Sequence, residues 1–199
     1  MSPQRLGREV YLAVGNSTYT IDKRGWLRGV QRVVSPNFNR RPPGASVSLL
    51  VIHSISLPPG RYGGGHIERF FTNSLDLSEH PYFQTLVDLR VSAHLLIARD
   101  GGVTQFVSCF DRAWHAGASC YQQQDNCNDF SIGIELEGTD VDAYTDEQYR
   151  ELAAVTRALL GAFPELTPQA IAGHSDIAPG RKTDPGAGFD WRRYRADLV

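Results

Sequence analysis

Apolar residues along the chain occur in short runs that glycine, proline and polar clusters separate. Residues 47–53 form one such run, and its β-branched side chains are typical of a buried strand. Residues 92–98 and 103–107 flank the sequence Arg-Asp-Gly-Gly at 99–102, a pattern that predicts a β-hairpin. In residues 131–136, isoleucine and leucine alternate with glycine and glutamate, which indicates a further strand.

One long segment has helical periodicity instead. Apolar side chains recur along one helical face in residues 146–163, and Pro164 follows the segment. Thr145 is a favourable N-cap, and Gln148 stands three residues later, as a capping box requires. A shorter helix is predicted for residues 66–73, where apolar side chains again fall on one side.

The remaining regions are less regular. The sequence PPGRYGGG at 58–65 predicts a loop, residues 170–172 predict a short strand, and residues 1–46 are poorly patterned and favour an extended lead-in. The order strand, hairpin, strand, helix, strand predicts an α+β fold, in which α-helices flank a central mixed β-sheet. A chain of 199 residues has the length of a single domain. We expect an N-terminal extension at 1–25, either disordered or packed as an arm, and a functional domain at 26–199.

Composition narrows the possible partners. The 20 Lys and Arg residues against 22 Asp and Glu residues leave a net charge of −2, which argues against a nucleic-acid binder. The apolar run Tyr11–Val14 is too short for an export signal or a membrane span. Cys109, Cys120 and Cys127 are odd in number and form no CxxC pair, which favours free thiols in a reducing cytoplasm. We therefore expect a cytoplasmic protein that binds neither nucleic acid nor membrane; the sequence leaves the oligomeric state open, and a monomer is the default expectation.

Three potential metal ligands stand where strands give way to loops. His53 ends the first apolar run, His174 follows the predicted strand at 170–172, and Asp184 lies in a Pro/Gly-rich loop ten residues later. Two imidazoles and one carboxylate suit a catalytic Zn²⁺ whose fourth position is open to water. Taken singly, each histidine is more often a solvated or hydrogen-bonded side chain than a ligand.

Two further residues suit catalysis at such a site. Glu135 is a carboxylate inside an apolar strand, where a charge is costly unless it is paired or functional. A water-facing glutamate is the ordinary alternative, and Glu137, which has the same phase, is a competitor. Lys182 precedes Asp184 by two residues, so it either stabilises developing negative charge or is a surface cation.

The other histidines are weaker candidates. His66 and His80 are interpreted as ordinary solvated or hydrogen-bonded side chains. His94 lies in a predicted strand, and a packing or supporting role is favoured over metal ligation.

Five segments together resemble the AmpD family of cytoplasmic N-acetylmuramoyl-L-alanine amidases, which act on 1,6-anhydro-muropeptides. They occur in the family's order with near-constant spacing, and the resemblance extends from about Trp26 to Tyr194. The segments are HSISLPPG at 53–60, VSAH at 91–94, RAWHAG at 112–117, CNDFSIGIELEGT at 127–139 and GHSDIAPGRKTDPG at 173–186.

This resemblance implies a fold shared with phage amidase endolysins and peptidoglycan recognition proteins, and a muropeptide substrate. It implies roles for eight residues: zinc ligands His53, His174 and Asp184, catalytic carboxylate Glu135, electrostatic partner Lys182, sugar-side residues Trp114 and His115, and Arg90 for the carboxylates of the stem peptide.

The chain departs from the family pattern at two positions beside the implied ligands. Ser54 stands where the family usually has asparagine, and Ser175 replaces the usual cysteine. Neither residue is an implied ligand, although Ser54 can alter contacts near the sugar or the metal. Two other functions remain open: a recognition module that binds peptidoglycan without cleaving it, and an exported or phage-type amidase acting on intact cell wall.

Overall fold

The computed structural model describes residues 19–198. The N-terminal extension predicted at 1–25 and the run Tyr11–Val14 lie largely or wholly outside these residues. The strands are β1 (Gln31–Arg32), β2 (Phe38–Arg40), β3 (Leu49–Ile55), β4 (Leu95–Ile97), β5 (Val103–Gln105), β6 (Asp111–Ala113), β7 (Cys120–Tyr121), β8 (Gln124–Asp125), β9 (Ser131–Glu137) and β10 (Ile171–Gly173). The α-helices are α1 (His66–Phe71), α2 (Asp146–Ala162), α3 (His174–Ile177) and α4 (Trp191–Ala196).

A six-stranded mixed sheet forms the centre of the fold, in the order β1-β5-β4-β9-β3-β10. Strands β4 and β5 pair antiparallel, as the predicted hairpin requires. The other neighbouring strands pair parallel, including β9 with β3 and β3 with β10. The predicted α+β class with a central mixed sheet is confirmed.

One face of this sheet packs against α2. Thr145 and Gln148 form the predicted capping box: each backbone N–H donates to the other side chain at 3.1 Å. Burying one aliphatic side chain in this layer contributes about 1.5–3 kcal/mol. The layer includes Leu50, Ile52, Ile132, Ile134, Leu136, Leu152, Val155 and Leu159.

The opposite face of the sheet carries two smaller apolar clusters. One surrounds Phe71, Phe83 and Phe106, next to α1 and the hairpin. The other surrounds Val51 and Phe130, next to β10. Because side chains alternate along a strand, His53 and Glu135 point to this face while their neighbours point to α2. Polar residues therefore lie between two apolar clusters.

The lead-in is more structured than the sequence predicts. Strand β1 adds an edge to the main sheet by pairing with β5, and β2 pairs with β6. Tyr19 and Ile21 pack against the main core, and Leu27 is buried in it. These strands contain two or three residues each, too few for an alternating apolar pattern. Among residues 19–198, no helix is both long and apolar enough to span a bilayer.

Candidate metal centre and active site

The carboxyl ends of three adjacent parallel strands meet at the candidate site. His53 is in β3, and Glu135 of β9 is its direct partner in the strand register. His174 follows β10 at once and begins α3. Asp184 comes from the following loop. Ser175 N–H donates a hydrogen bond of 2.9 Å to the Asp184 carbonyl, which fixes the position of this loop.

Three potential ligand atoms converge in this arrangement. His53 Nδ1 lies 2.9 Å from His174 Nδ1 and 3.2 Å from Asp184 Oδ2. His174 Nδ1 lies 3.1 Å from the same carboxylate oxygen. Both imidazoles are almost fully buried, with 1% and 3% exposure. These three residues form the group that could hold a metal ion among residues 19–198.

The tautomer inferred for His174 and the neutral charge of His53 favour a cation between these atoms. His174 Nε2 is 3.1 Å from the Ala116 carbonyl, which only accepts, so the proton is on Nε2 and Nδ1 has a free lone pair. Burial lowers the pKa of His53 to about 4, so this ring is also neutral near pH 7. Tetrahedral zinc with bonds of about 2.0 Å separates its ligand atoms by about 3.3 Å, close to the spacing observed here. The donor set fits Zn²⁺.

Asp184 is held in its charged form. Burial alone would raise the pKa of this carboxyl, but the contacts of its Oδ2 atom with the His174 and His53 rings outweigh burial and lower the pKa below its ordinary value. A carboxylate that stays ionised is a suitable ligand for a divalent cation.

Glu135 differs from Asp184 in its hydrogen bonding. Its Oε2 atom is buried and has no hydrogen-bond partner among residues 19–198. Burial raises the pKa of Glu135 well above its ordinary value, the charge of Asp184 raises it further, and Lys182 partly opposes the shift. Such a carboxyl group beside potential metal ligands is suited to proton transfer.

Glu137 does not share this environment. Its carboxylate accepts the backbone N–H of Gly63 at 2.5 Å and that of Arg99 at 3.2 Å. The residue is buried and ties the predicted loop at 58–65 to β9. Of the two glutamates that share this face of β9, Glu135 has the buried oxygen that no other described residue contacts by a hydrogen bond.

The three residues predicted to contact the substrate lie in different environments. Trp114 is half-buried, and its Nε1 donates to Asn39 Oδ1 at 2.8 Å. His115 contacts the candidate metal centre, because its Nδ1 lies 2.9 Å from His53 Nε2. Arg90 is exposed and donates to the carbonyls of Val87 and Leu89 in its own loop, so its role at the stem peptide stays a prediction.

The remaining histidines have partners elsewhere. His94 is fully buried; its Nδ1 accepts the Gly133 N–H at 3.0 Å, and its Nε2 lies 3.1 Å from the Asp111 carbonyl. His66 pairs with Glu79, and His80 Nδ1 accepts the backbone N–H of Tyr82.

Sequence reasoning missed one residue that supports the centre. Arg181 donates to the carbonyls of Ala116 and Ala118 at 2.6 Å, so it shares the Ala116 oxygen with His174. No local pattern marks Arg181, because its partners lie more than 60 positions earlier in the chain.

A mixed sheet whose strand ends bring together two imidazoles, two carboxyl groups and a nearby lysine defines the class of this protein. Its fold is α+β, and its candidate metal centre has the groups that metal-assisted hydrolysis requires.

Comparison with known proteins identifies the family. The Amidase_2 family model, N-acetylmuramoyl-L-alanine amidase, matches residues 43–187. The chain is 56% identical over 173 residues to the 1,6-anhydro-N-acetylmuramyl-L-alanine amidase AmpD of Escherichia coli (strain K12), covering 87% of this chain and 94% of that protein. It is 49% identical over 176 residues to AmpD of Haemophilus influenzae, covering 88% and 96%. A crystal structure of a selenomethionine derivative of AmpD matches with a TM-score of 0.87 and 55% identity, covering 90% of this chain and 99% of that one.

The chain therefore belongs to the Amidase_2 family and is an N-acetylmuramoyl-L-alanine amidase. The resemblance to the AmpD family, inferred from five motifs, is confirmed.

Proposed function

We propose that this protein is a zinc-dependent amidase of cytoplasmic peptidoglycan recycling. Its substrate is a muropeptide, and it hydrolyses the amide bond between 1,6-anhydro-N-acetylmuramic acid and L-alanine. The observation that carries the proposal is the convergence of two histidine Nδ1 atoms and one carboxylate oxygen beside Glu135, whose Oε2 atom has no hydrogen-bond partner in the part of the chain that the structure describes. The substrate class comes from the names of the relatives, which include 1,6-anhydro-N-acetylmuramyl-L-alanine amidases.

His53, His174 and Asp184 would hold the zinc ion. When bound, zinc would supply Lewis-acid chemistry, polarising a carbonyl and increasing the acidity of water. Three protein ligands leave a fourth position open, as in catalytic zinc sites, whereas structural sites are closed by four.

Glu135 is the general base and then the general acid. It accepts a proton from the water that attacks the lactyl carbonyl, and it returns that proton to the leaving nitrogen of alanine. A carboxyl group with an ordinary pKa binds this proton weakly near neutral pH. Burial raises the pKa of Glu135, so the group holds the transferred proton more readily.

Lys182 stabilises the negative charge that develops on the carbonyl oxygen during attack. Its ammonium group is close enough to Glu135 and His53 to affect the pKa of each. Its side chain is exposed to solvent, so it is accessible to a bound substrate. A positioned positive charge at this point favours the transition state over the ground state.

Trp114 supports the sugar of the substrate. Its indole is half-buried and held by Asn39, so a planar apolar surface is fixed beside the site without a large loss of side-chain freedom. Arg90 is the proposed partner of the stem-peptide carboxylates. The cytoplasmic setting rests on the recycling role and on three free cysteines, of which Cys120 is exposed.

Metal dependence is tested with protein stripped by a chelator and reloaded with zinc. We expect the stripped protein to release no peptide from an anhydro-muropeptide and one equivalent of zinc to restore release, followed by mass spectrometry. Asp184→Ala is the matched variant, because it removes one proposed ligand. Added zinc should not restore peptide release by this variant. Full activity of the stripped protein would contradict zinc dependence. Muropeptide binding without cleavage by the zinc-loaded protein would favour a recognition module.

A further inference from the structure

A hydrogen-bonded chain of buried and half-buried side chains leads from the proposed metal centre to strand β9. His53 Nε2, on the far side of the ring from the proposed ligand atom, lies 2.9 Å from His115 Nδ1. His115 Nε2 then lies 3.2 Å from the Ser131 hydroxyl oxygen. The rings of His53 and His115 meet edge-on, with centroids 5.0 Å apart and an interplanar angle of 85°. Both nitrogens of His115 therefore have partners within the protein.

The fold provides a specific place for the His115 ring. A Cβ atom at Gly133 would lie 2.5 Å from two atoms of this ring, closer than real contacts allow. The φ of Gly133 is outside the left-handed region, so the position requires glycine for space and not for conformation. Asn128 Oδ1 accepts the backbone N–H of His115 at 3.0 Å and that of Ala116 at 2.8 Å, which fixes the chain at this point.

From this geometry, we propose that His115 is a positioning residue for the metal ligand His53. His115 Nδ1 accepts the proton of His53 Nε2, while His115 Nε2 donates to Ser131. This arrangement selects the tautomer in which His53 Nδ1 is unprotonated and faces His174 and Asp184. This inference rests on the proposed metal centre. It gives His115 a role in holding the metal ligand His53, in place of the contact with the sugar that the family resemblance implies.

The two proposed histidine ligands differ in how they are held. His174 donates its Nε2 proton to a backbone carbonyl, that of Ala116. Metal-binding histidines usually donate the second N–H to a carboxylate, a carbonyl or water, and this contact sets the ring orientation and tautomer. For His53 the partner is a side chain. Substitution can therefore remove the contact at His53 without altering the ligand itself.

The test is the zinc affinity of purified protein, measured by competition with a chromophoric chelator. His115→Leu retains apolar bulk but removes the acceptor, and we expect zinc to bind about 10–100-fold more weakly. His115→Asn places an amide oxygen near the original Nδ1 position, so most of the affinity should return. Tyr194→Phe is the control, because it removes a buried hydrogen bond to Thr156, at 2.7 Å, outside the proposed site. It should lower the free energy of unfolding and leave zinc affinity unchanged.

A second pair of variants tests the same contact through Gly133. Gly133→Ala should displace the His115 ring and weaken zinc binding. In a His115→Ala background, where the ring is absent, the same substitution should have little further effect, because the two positions act through one contact.

The outcomes separate this inference from the proposed function. If wild-type protein binds no zinc, the proposed metal centre is wrong, and the role of His115 falls with it. If wild-type protein binds zinc and both His115→Leu and Gly133→Ala bind it equally well, the positioning role is wrong while the amidase proposal stands. A higher KM for the muropeptide in His115→Leu at unchanged zinc affinity would return His115 to the sugar side.

Discussion

Substitution by glutamine should have opposite effects on the free energy of unfolding at the two glutamates of β9. Within the described part of the chain, Glu135 has a buried oxygen without a hydrogen-bond partner, and burial raises the pKa of this residue. Glu137, two residues later, accepts two backbone N–H groups. Glu135→Gln removes a carboxyl group that ionises at a higher pH in the folded protein than in the unfolded chain, whereas Glu137→Gln leaves one acceptor oxygen for two backbone N–H groups.

The magnitudes follow from these contacts. Because the pKa of Glu135 is raised in the folded protein, keeping this group protonated near pH 7 costs about 1.4 kcal/mol for each pKa unit between the folded and the unfolded carboxyl group, and Glu135→Gln, which does not ionise, should raise the free energy of unfolding of zinc-free protein by that amount. A hydrogen bond to a charged group contributes about 1.5–3 kcal/mol, so Glu137→Gln should lower the free energy of unfolding by about that amount.

The pH dependence has a defined sign. Well below the ordinary carboxyl pKa of 4.5, Glu135 is protonated in both the folded and the unfolded protein, and wild type and Glu135→Gln should have similar stability. As pH rises above 4.5, the unfolded chain loses this proton, while the zinc-free folded protein retains it to a higher pH. Wild-type stability therefore falls relative to the variant, and the difference should widen as pH rises.

Urea unfolding of both variants and wild type, in the presence of a chelator, measures these differences. Activity is measured separately on zinc-loaded protein, where Glu135→Gln should lose about 10²–10⁴-fold in kcat and retain zinc. Glu137→Gln should retain much more of the activity. The reasoning would be refuted if Glu135→Gln destabilised the protein as much as Glu137→Gln, or if Glu135→Gln remained fully active.

Three other substitutions test two residues of the candidate site and one buried histidine outside it. Lys182→Ala should lower kcat by about 10²–10³-fold with zinc content unchanged, because one stabilising charge is lost from the transition state; an unchanged kcat would remove its assigned role. Free zinc at about 100 times its Kd should raise the unfolding free energy of wild type by about 2.7 kcal/mol and leave Asp184→Ala unaffected, as thermal unfolding at fixed protein concentration can show. Burial lowers the pKa of His94 to about 3, so between about pH 7 and pH 5 the unfolded chain binds a proton that the folded protein does not. His94 should therefore lower the stability of zinc-free protein by about 2 kcal/mol over that interval, and His94→Gln should show a shallower pH dependence in urea titrations.

The sequence predicts the elements that have strong periodicity. The alternation in β9 and the helical face of α2 are long enough to mark which side chains are buried, and the structure confirms both elements. Strands β1 and β2 were missed because they consist of two and three residues, and backbone pairing with β5 and β6 defines them.

Some features of the candidate site could also be predicted from the sequence, and others could not. His53, Glu135 and His174 were identifiable because each lies in or directly after a predicted strand, where parallel strands bring side chains to one edge. The contact between His53 and His115 joins residues 62 positions apart, and no local pattern encodes it. The distinction between Glu135 and Glu137 also depends on structure, because only the folded loop places Gly63 N–H on Glu137.

The most direct test of the central claim is the position of the bond that is cut. Purified, zinc-loaded protein is incubated with an anhydro-muropeptide in water enriched in heavy oxygen, and the products are analysed by mass spectrometry. Hydrolysis of the proposed amide should place one heavy oxygen atom in the lactyl carboxylate of the anhydro-sugar and release an unlabelled peptide with a free alanine amine. Label in the peptide, or an intact muropeptide after incubation with protein of full zinc content, would contradict the proposed reaction.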